Sequence, residues 1–404
     1  MSTESISAGM AGMAGMAGMA GMAGMAGMAG MAGMAGMAGM AGMAGMGHGL
    51  VGPGALITNR DGIVGPWQKP GTTPAQLSFE KSGNMEQWAP WVRASILDFE
   101  LSSRLGFSTK ITKVGASASL LHLANDPAGT KKNHKYKTLI KVHRPDPEAF
   151  RQQLDFLNSY ADLRIDRAHE ILAQISGASA FFASIADLQL EKSRWTVELL
   201  AAVLRTTNIV EMRMKHALAC KRPSSYSPQV QPIISTPGHG TLPSGHATEA
   251  FVLAYVLLML MRTGQADNPQ FSETGWPVQL MRQASRIAVN RTVAGVHFPI
   301  DSAAGASLGL TLGQYLVGRF THQAEFAAWK FLWPTASFGN PKFTFDGDFR
   351  WADIFEVGTA DGSSPPQIKP SNYLFEQKRR PHGDHSDLLG WMWQRAAEEW
   401  KNPA

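Results

Sequence analysis

The sequence predicts a mainly α protein, a helical bundle wrapped by irregular N- and C-terminal segments. Three observations predict it. Apolar residues recur at helical spacing through most of 146–320, the pattern of helices that bury one face. The longest apolar run, "AFVLAYVLLMLM" at 250–261, has 12 residues, which suits a buried core helix and is too short to span a bilayer. Strand character is expected at one place, "KTLIKVH" at 137–143.

The elements follow in order. Residues 1–50 form a low-complexity tail in which Ala-Gly-Met repeats thirteen times from Ala8 to Met46. The Ala8–Met46 repeat has no charge, no branched side chain and no proline, so neither a packed core nor a collagen-like helix is expected, and it reads as disordered. An irregular, mixed segment at 51–145 packs on the core, with a helix at 91–105. The helical core, 146–332, opens with one or two helices in "DPEAFRQQLDFLNSYADLRIDRAHEILAQI". A long helix runs from Ser193 to about Lys221, with Trp195, Leu199, Ala202, Val203, Ile209, Val210 and Met214 at helical spacing, and Pro223 stops it. A loop carrying Pro223, Pro228, Pro232, Pro237 and Pro243 follows; loops of that length in a compact domain usually serve function. Further helices are expected at 245–262, 277–293 and 300–318, and a C-terminal irregular segment, 333–404, ends in a helix near 386–400.

Bulk properties exclude some functions. The net charge of +5 is spread thinly over 404 residues. Its one basic run, "KKNHKYK" at 131–137, lacks a basic helix face or aromatic platform, so nucleic acid is not an expected partner. A single cysteine, Cys220, allows no internal disulfide and fits a reducing compartment; its own reading is a packed small residue. No signal-peptide pattern opens the chain. These features together give an expectation of a cytoplasmic or otherwise soluble protein with no transmembrane span and with homo-oligomerisation left open.

Three stretches carry chemistry. In "KHALACKRP", Lys215 and Arg222 stand seven residues apart, two helical turns, which would place both cations near one face at a helix end. Taken alone they could equally satisfy helix carbonyls. In "LPSGHATEAF", Ser244 can cap the next helix, whose first-turn N–H groups and dipole attract an anion. Gly245 permits close approach to the backbone, and His246 stands where it can donate a proton. The alternative is a plain helix cap beside a partly buried histidine. In "NRTVAGVHFPID", Asp301 lies four residues after His297 and can hold one ring nitrogen as N–H, leaving the other with its lone pair. A helix-start Asp–His pair is the alternative there. "HGDH" at 382–385 has metal-ligating residue types but reads as a helix start.

In that order, K-x6-R-P, P-S-G-H and R-x5-H-x3-D, the chain resembles the superfamily uniting type 2 phosphatidic acid phosphatases, soluble bacterial acid phosphatases and vanadium-dependent haloperoxidases. The likeness covers about residues 190–320. It departs from the pattern at Asn290, where the family usually has serine before the arginine; a nearby Ser285-Arg286 pair has the wrong spacing, which selects Arg291. The resemblance implies a helical bundle of the acid phosphatase/vanadium haloperoxidase type and a pocket for a tetrahedral oxyanion. Lys215, Arg222, Ser244, Gly245 and Arg291 would bind that oxyanion, and His246, His297 and Asp301 would be catalytic.

Two chemistries fit such a pocket. In the haloperoxidase reading, vanadate is the cofactor, His297 is its metal ligand, and hydrogen peroxide oxidises a halide. In the phosphatase alternative no cofactor is required; His297 attacks phosphorus of a phosphate ester and His246 protonates the leaving alcohol. His239, seven residues before His246, resembles the second pocket histidine of bromide-oxidising enzymes, whereas Met212 stands where the chloride-oxidising branch has tryptophan. The expectation is a haloperoxidase-like enzyme, ahead of a soluble phosphatase, with a non-enzymatic anion-binding scaffold last.

Overall fold

The computed structural model describes residues 63, 65–113, 115–124, 135–264, 275–334, 346–359, 364–381 and 385–401. The Ala-Gly-Met tail lies outside the described residues, as do most of the 131–137 basic run and of 382–385.

The chain forms α1 (Pro90–Ser102), strands β1 (Leu105–Thr112), β2 (Gly115–Ala124) and β3 (Lys135–His143), and then helices α2 (Pro147–Gln152), α3 (Leu154–Ala161) and α4 (Arg164–Ala186). The central helices follow: α5 (Arg194–Leu218), α6 (Gly245–Gly264), α7 (Trp276–Val293) and α8 (Pro299–Phe320). Strand β4 (Glu325–Phe331), the short pair β5 (Phe355–Glu356) and β6 (Gln367–Ile368), strand β7 (Leu374–Pro381) and α9 (Asp387–Glu398) complete the described chain.

The helices are accompanied by a sheet, which corrects the expectation of a mainly α bundle. Five strands pair in the order β1-β2-β3-β4-β7. All neighbours are antiparallel except β3 and β4, where Ile140 lies opposite Trp329 in parallel register. Only β3 had been legible. Strand β2 is built largely of Gly, Ala, Ser and Leu, which carry little strand propensity, and β4 and β7 join the sheet through pairings far apart in sequence. His122 Nδ1 lies 2.7 Å from the Tyr315 hydroxyl, which fastens β2 to α8.

Helix α6 is buried on all sides, with Phe251, Val252, Leu257 and Leu258 fully enclosed. Each such side chain contributes roughly 1.5–3 kcal/mol through removal of apolar surface from water. Its neighbour α8 approaches very closely. A Cβ on Gly305 would sit 2.6 Å from the Ser244 carbonyl, and one on Gly309 would sit 2.4 Å from that of Thr248. The absence of side chains there brings the first turn of α6 against the second and third turns of α8. At the far end, Glu399 accepts from the backbone N–H groups of Trp195 and Thr196, both at 2.9 Å, and so caps α5 from the other end of the chain.

Two helix boundaries change the argument. Helix α5 stops at Leu218 because Ala219 adopts the left-handed conformation (φ 49°), with its N–H bonded to the Lys215 carbonyl. Arg222 therefore projects from an extended segment, and Lys215 and Arg222 do not share a helix face as the spacing argument required. Helix α6 extends the 12-residue apolar run to 20 residues. Its best window has a mean hydropathy of 1.4 and is 78% buried within the protein. By length and composition it is long and apolar enough to cross a membrane, which overturns the expectation of no such helix.

Candidate active site

The site lies where the end of α5, the proline-rich loop and the first turns of α6 and α8 meet. Lys215, in the last turn of α5, is buried and donates from Nζ to the Pro243 carbonyl at 2.5 Å. It thereby holds the loop that delivers Ser244 to the start of α6. Arg222 donates to the Val296 carbonyl (2.8 Å) and the His239 carbonyl (3.1 Å), clamping the loop to the turn before His297.

His297 is held from behind. Its Nδ1 lies 3.1 Å from Asp301 Oδ2 and 3.1 Å from Thr241 Oγ1. Thr241 itself donates to Asp301 Oδ2 at 2.5 Å, and the Phe298 N–H donates to the same oxygen at 2.9 Å. Asp301 sits in the first turn of α8 and is fully buried, so its position is fixed on three sides. These acceptors keep the proton on Nδ1. The lone pair of Nε2 then faces Arg222, whose Nη1 is 3.0 Å away.

Arg291 enters from the last turn of α7. Its Nη2 donates to Gln174 Oε1 (2.8 Å) and to the Ile171 carbonyl (3.2 Å) on α4, whereas Nε and Nη1 are buried with no partner among the described residues. Asn290 does not face the pocket: its Nδ2 donates to the same Gln174 oxygen at 3.1 Å, and its Oδ1 accepts from Arg167 at 3.2 Å. The departure at Asn290 thus supports the residue that positions Arg291. Arg286 is on the surface, paired with Glu170, and does not line the cavity that Arg291 lines.

Lys215, Arg222, His239, Gly245, His246, Arg291 and His297 all line one cavity of about 360 Å³. Most residues expected at the site are therefore brought together. Asp301 stands behind His297, and Ser244 turns away: its hydroxyl accepts from the Ala247 N–H at 3.4 Å as a helix cap and does not line the cavity. Met212, Leu172, Ile175, Ile233 and Ile234 give the cavity an apolar side.

Burial governs the charges. Burial lowers Arg222 and Arg291 to about 10, which leaves both cationic at neutral pH. Burial also lowers Lys215, to about 8, despite the opposing pull of Glu211. His246 and His297 are both pushed well below the ordinary histidine range, chiefly by burial and then by the nearby arginines. Burial raises Asp301 to about 6, although Thr241, the Phe298 N–H and the cations pull the other way. His246 keeps a hydrogen bond with the backbone of Gln174, and its Nε2 is buried with no partner among the described residues. Cys220 is raised to about 12 by burial, so its thiol stays neutral and packed.

Four participants escaped the sequence reading. Thr241 and Gln174 reach the site through loop and helix packing that leaves no local signal. Glu211 and Glu249 also line the cavity, and here a signal existed. Glu211 is four residues before Lys215 and Glu249 three after His246, the spacings that put side chains on one helix face. Among the described residues no group of three or more His, Cys, Asp or Glu could hold a metal ion.

Residues 195–323 match the family model described as the PAP2 superfamily. No curated protein matches the chain. A solved structure that does match is the first transmembrane PAP2 type phosphatidylglycerolphosphate phosphatase from Bacillus subtilis, at 21% identity. The match covers 42% of this chain and 75% of that one, with a TM-score of 0.26. The expectation of a cytoplasmic or otherwise soluble chain with no transmembrane span is corrected by α6. It rested on a run of 12 apolar residues, whereas the helix there has 20 and is by length and composition able to cross a membrane. The three cations, both histidines and Asp301 all lie within the segment that matches the PAP2 superfamily model.

Proposed function

We propose that this protein is a phosphohydrolase that cleaves phosphate monoesters through a phosphohistidine at His297. The observation that carries this reading is the orientation of His297. Its Nδ1 is held by Asp301 and Thr241, and its Nε2 lone pair is turned toward Arg222 in a cavity shared with His246. That arrangement is an oriented nucleophile with an acid–base partner across a cationic seat.

The steps follow from the residues. The phosphoryl group sits among Lys215, Arg222, Arg291 and the first-turn N–H groups of α6, each charge-assisted bond contributing roughly 1.5–3 kcal/mol net. His297 Nε2 attacks phosphorus as the ester P–O bond breaks, and the guanidinium groups balance the charge that gathers on the equatorial oxygens. His246 supplies the proton to the leaving oxygen. In the empty cavity burial and the cations keep it neutral; the charge of the bound substrate reverses that repulsion and loads Nε2 with a proton. The same nitrogen then takes a proton from the water that attacks the phosphohistidine. Asp301 stabilises the His297 cation that forms.

The haloperoxidase reading, with vanadate as resident cofactor and halide and peroxide as substrates, gains nothing from the family match, and the phosphatase alternative takes its place. The donor set fits vanadate as a mimic of the phosphoryl transition state, that is, as an inhibitor. The test is hydrolysis of a chromogenic phosphate monoester by the full chain, with and without vanadate. Turnover that vanadate suppresses supports the reading; inertness toward a broad panel of monoesters contradicts it.

A further inference from the structure

A cavity built to hold an anion should be lined by donors, yet two buried carboxylates also line this one. Glu211 and Glu249 are almost wholly out of solvent. Among the described residues Glu211 Oε2 is buried with no hydrogen-bond partner, and Oε1 receives a long contact of 3.5 Å from Asn208. The carboxylate lies against the start of α6, the anion seat itself: a Cβ on Gly245 would be 2.9 Å from Oε1. A ligand of acceptors alone would satisfy the cations and be repelled by Glu211. A ligand that has acceptors and also carries a proton satisfies both.

We propose that Glu211, supported by Glu249, makes this cavity select oxyanions that bring a proton, hydrogen phosphate and singly ionised phosphate monoesters, over proton-free oxyanions such as sulfate and phosphodiesters. This specificity rests on the phosphohydrolase reading above. In the bound state one proton lies between a Glu211 oxygen and an oxygen of the anion. No covalent bond changes; the proton comes with the ligand.

The surroundings of Glu211 set where this works. On α5 it faces Lys215 and Asn208; on α6, Glu249 and His246. Arg222 and His239 face the cavity from the loop, Arg291 from α7, and His297 from the turn before α8 with Asp301 behind it. Burial raises Glu211 to about 7 against the pull of Lys215, and Glu249 is raised further by burial and by Glu211. Above that pH Glu211 is a bare carboxylate and rejects a proton-free anion. Below it, Glu211 carries its own proton and the discrimination fades.

The experiment is ligand binding to the full chain, inorganic phosphate against sulfate, by calorimetry and by thermal shift, at about pH 8 and about pH 6. At the higher pH the wild-type protein should prefer phosphate by about tenfold or more, and at the lower pH the preference should shrink to about threefold. Glu211→Gln should hold it near threefold at both, by gaining sulfate affinity, and Glu249→Gln should move in the same direction. Sulfate binding as well as phosphate to the wild-type protein at the higher pH would overturn the proposal without any variant. So would an unchanged preference in a folded Glu211→Gln. Selective phosphate binding without ester hydrolysis would sink the phosphohydrolase reading and leave this selectivity standing; binding of neither anion would sink both.

Discussion

Arg222 Nη1 lies 3.0 Å from His297 Nε2, so a guanidinium on the proline-rich loop addresses the one ring nitrogen that Asp301 and Thr241 leave with a lone pair. The contact aligns the imidazole before any substrate arrives. It also places a positive charge where the phosphoryl oxygens gather in the reaction. Replacing His297 with Ala should therefore lower kcat by about a thousandfold or more while phosphate affinity falls far less, because the cations remain. Steady-state kinetics and phosphate binding on the same preparation check this.

Asp301 and Thr241 act through His297. Asp301→Asn should lower kcat by about two to four orders of magnitude by favouring the wrong tautomer, with KM little changed. Thr241→Val removes one of the donors to Asp301 and should raise the carboxyl's pKa beyond about 6, because the hydroxyl holds it down. The acid limb of the kcat profile should move to higher pH, as a pH–rate series would read.

Arg291 is expected to act mainly in binding. Arg291→Lys keeps the charge but loses the fork that spans Gln174 and the cavity, so KM should rise about ten- to a hundredfold. Gln174→Leu should reproduce part of that rise without touching the ligand, which substrate-saturation curves for the two variants would compare.

The crossing of α6 and α8 depends on missing side chains. Gly309→Ala puts a methyl group about where the Thr248 carbonyl lies, 2.4 Å from the ideal Cβ. Overpacking of this kind costs about 1–3 kcal/mol. Thermal unfolding should show a drop in Tm of several degrees, and turnover should fall because the start of α6 is pushed away from α8.

Three buried groups give the ligand-free protein an unusual stability profile. Asp301 and Glu211 have folded pKa values of about 6 and about 7, above their ordinary 3.8 and 4.5. The folded state therefore holds protons that the unfolded state has released, and these groups lower stability as pH rises through about 4 to 7. Lys215 is shifted the opposite way, from 10.5 to about 8, so between those values the unfolded state holds the extra proton and stability recovers as pH rises. Their joint contribution is least favourable between about pH 7 and 8, where added phosphate should stabilise most. Tm against pH should flatten on its falling limb in Glu211→Gln.

Much of the site was legible because its chemistry is written in local spacings. His297 and Asp301, four residues apart across a helix start, meet as their spacing requires, and P-S-G-H places His246 at a helix mouth. Lys215 and Arg222 were paired for the wrong reason: they converge because Ala219 ends α5 and the chain turns back. Thr241, Gln174 and the sheet were hidden, since each depends on segments far apart in sequence, as β3 with β4 and Gln174 with Arg291 show. Ser244 was overread, because its hydroxyl is already committed to capping α6. Helix α6 was expected at 245–262 and ends at Gly264, but its capacity to span a membrane was underread, because it was judged on the 12-residue apolar run alone.

The central claim is a covalent bond from phosphorus to His297, and trapping it tests the account most directly. The full chain is mixed with a phosphate monoester, quenched in alkali during the first turnover, digested and mapped by mass spectrometry. The account predicts an acid-labile phosphoryl group on residue 297 that is absent from His297→Ala. A phosphoryl group on any other residue, or turnover with no covalent species at all, would contradict it.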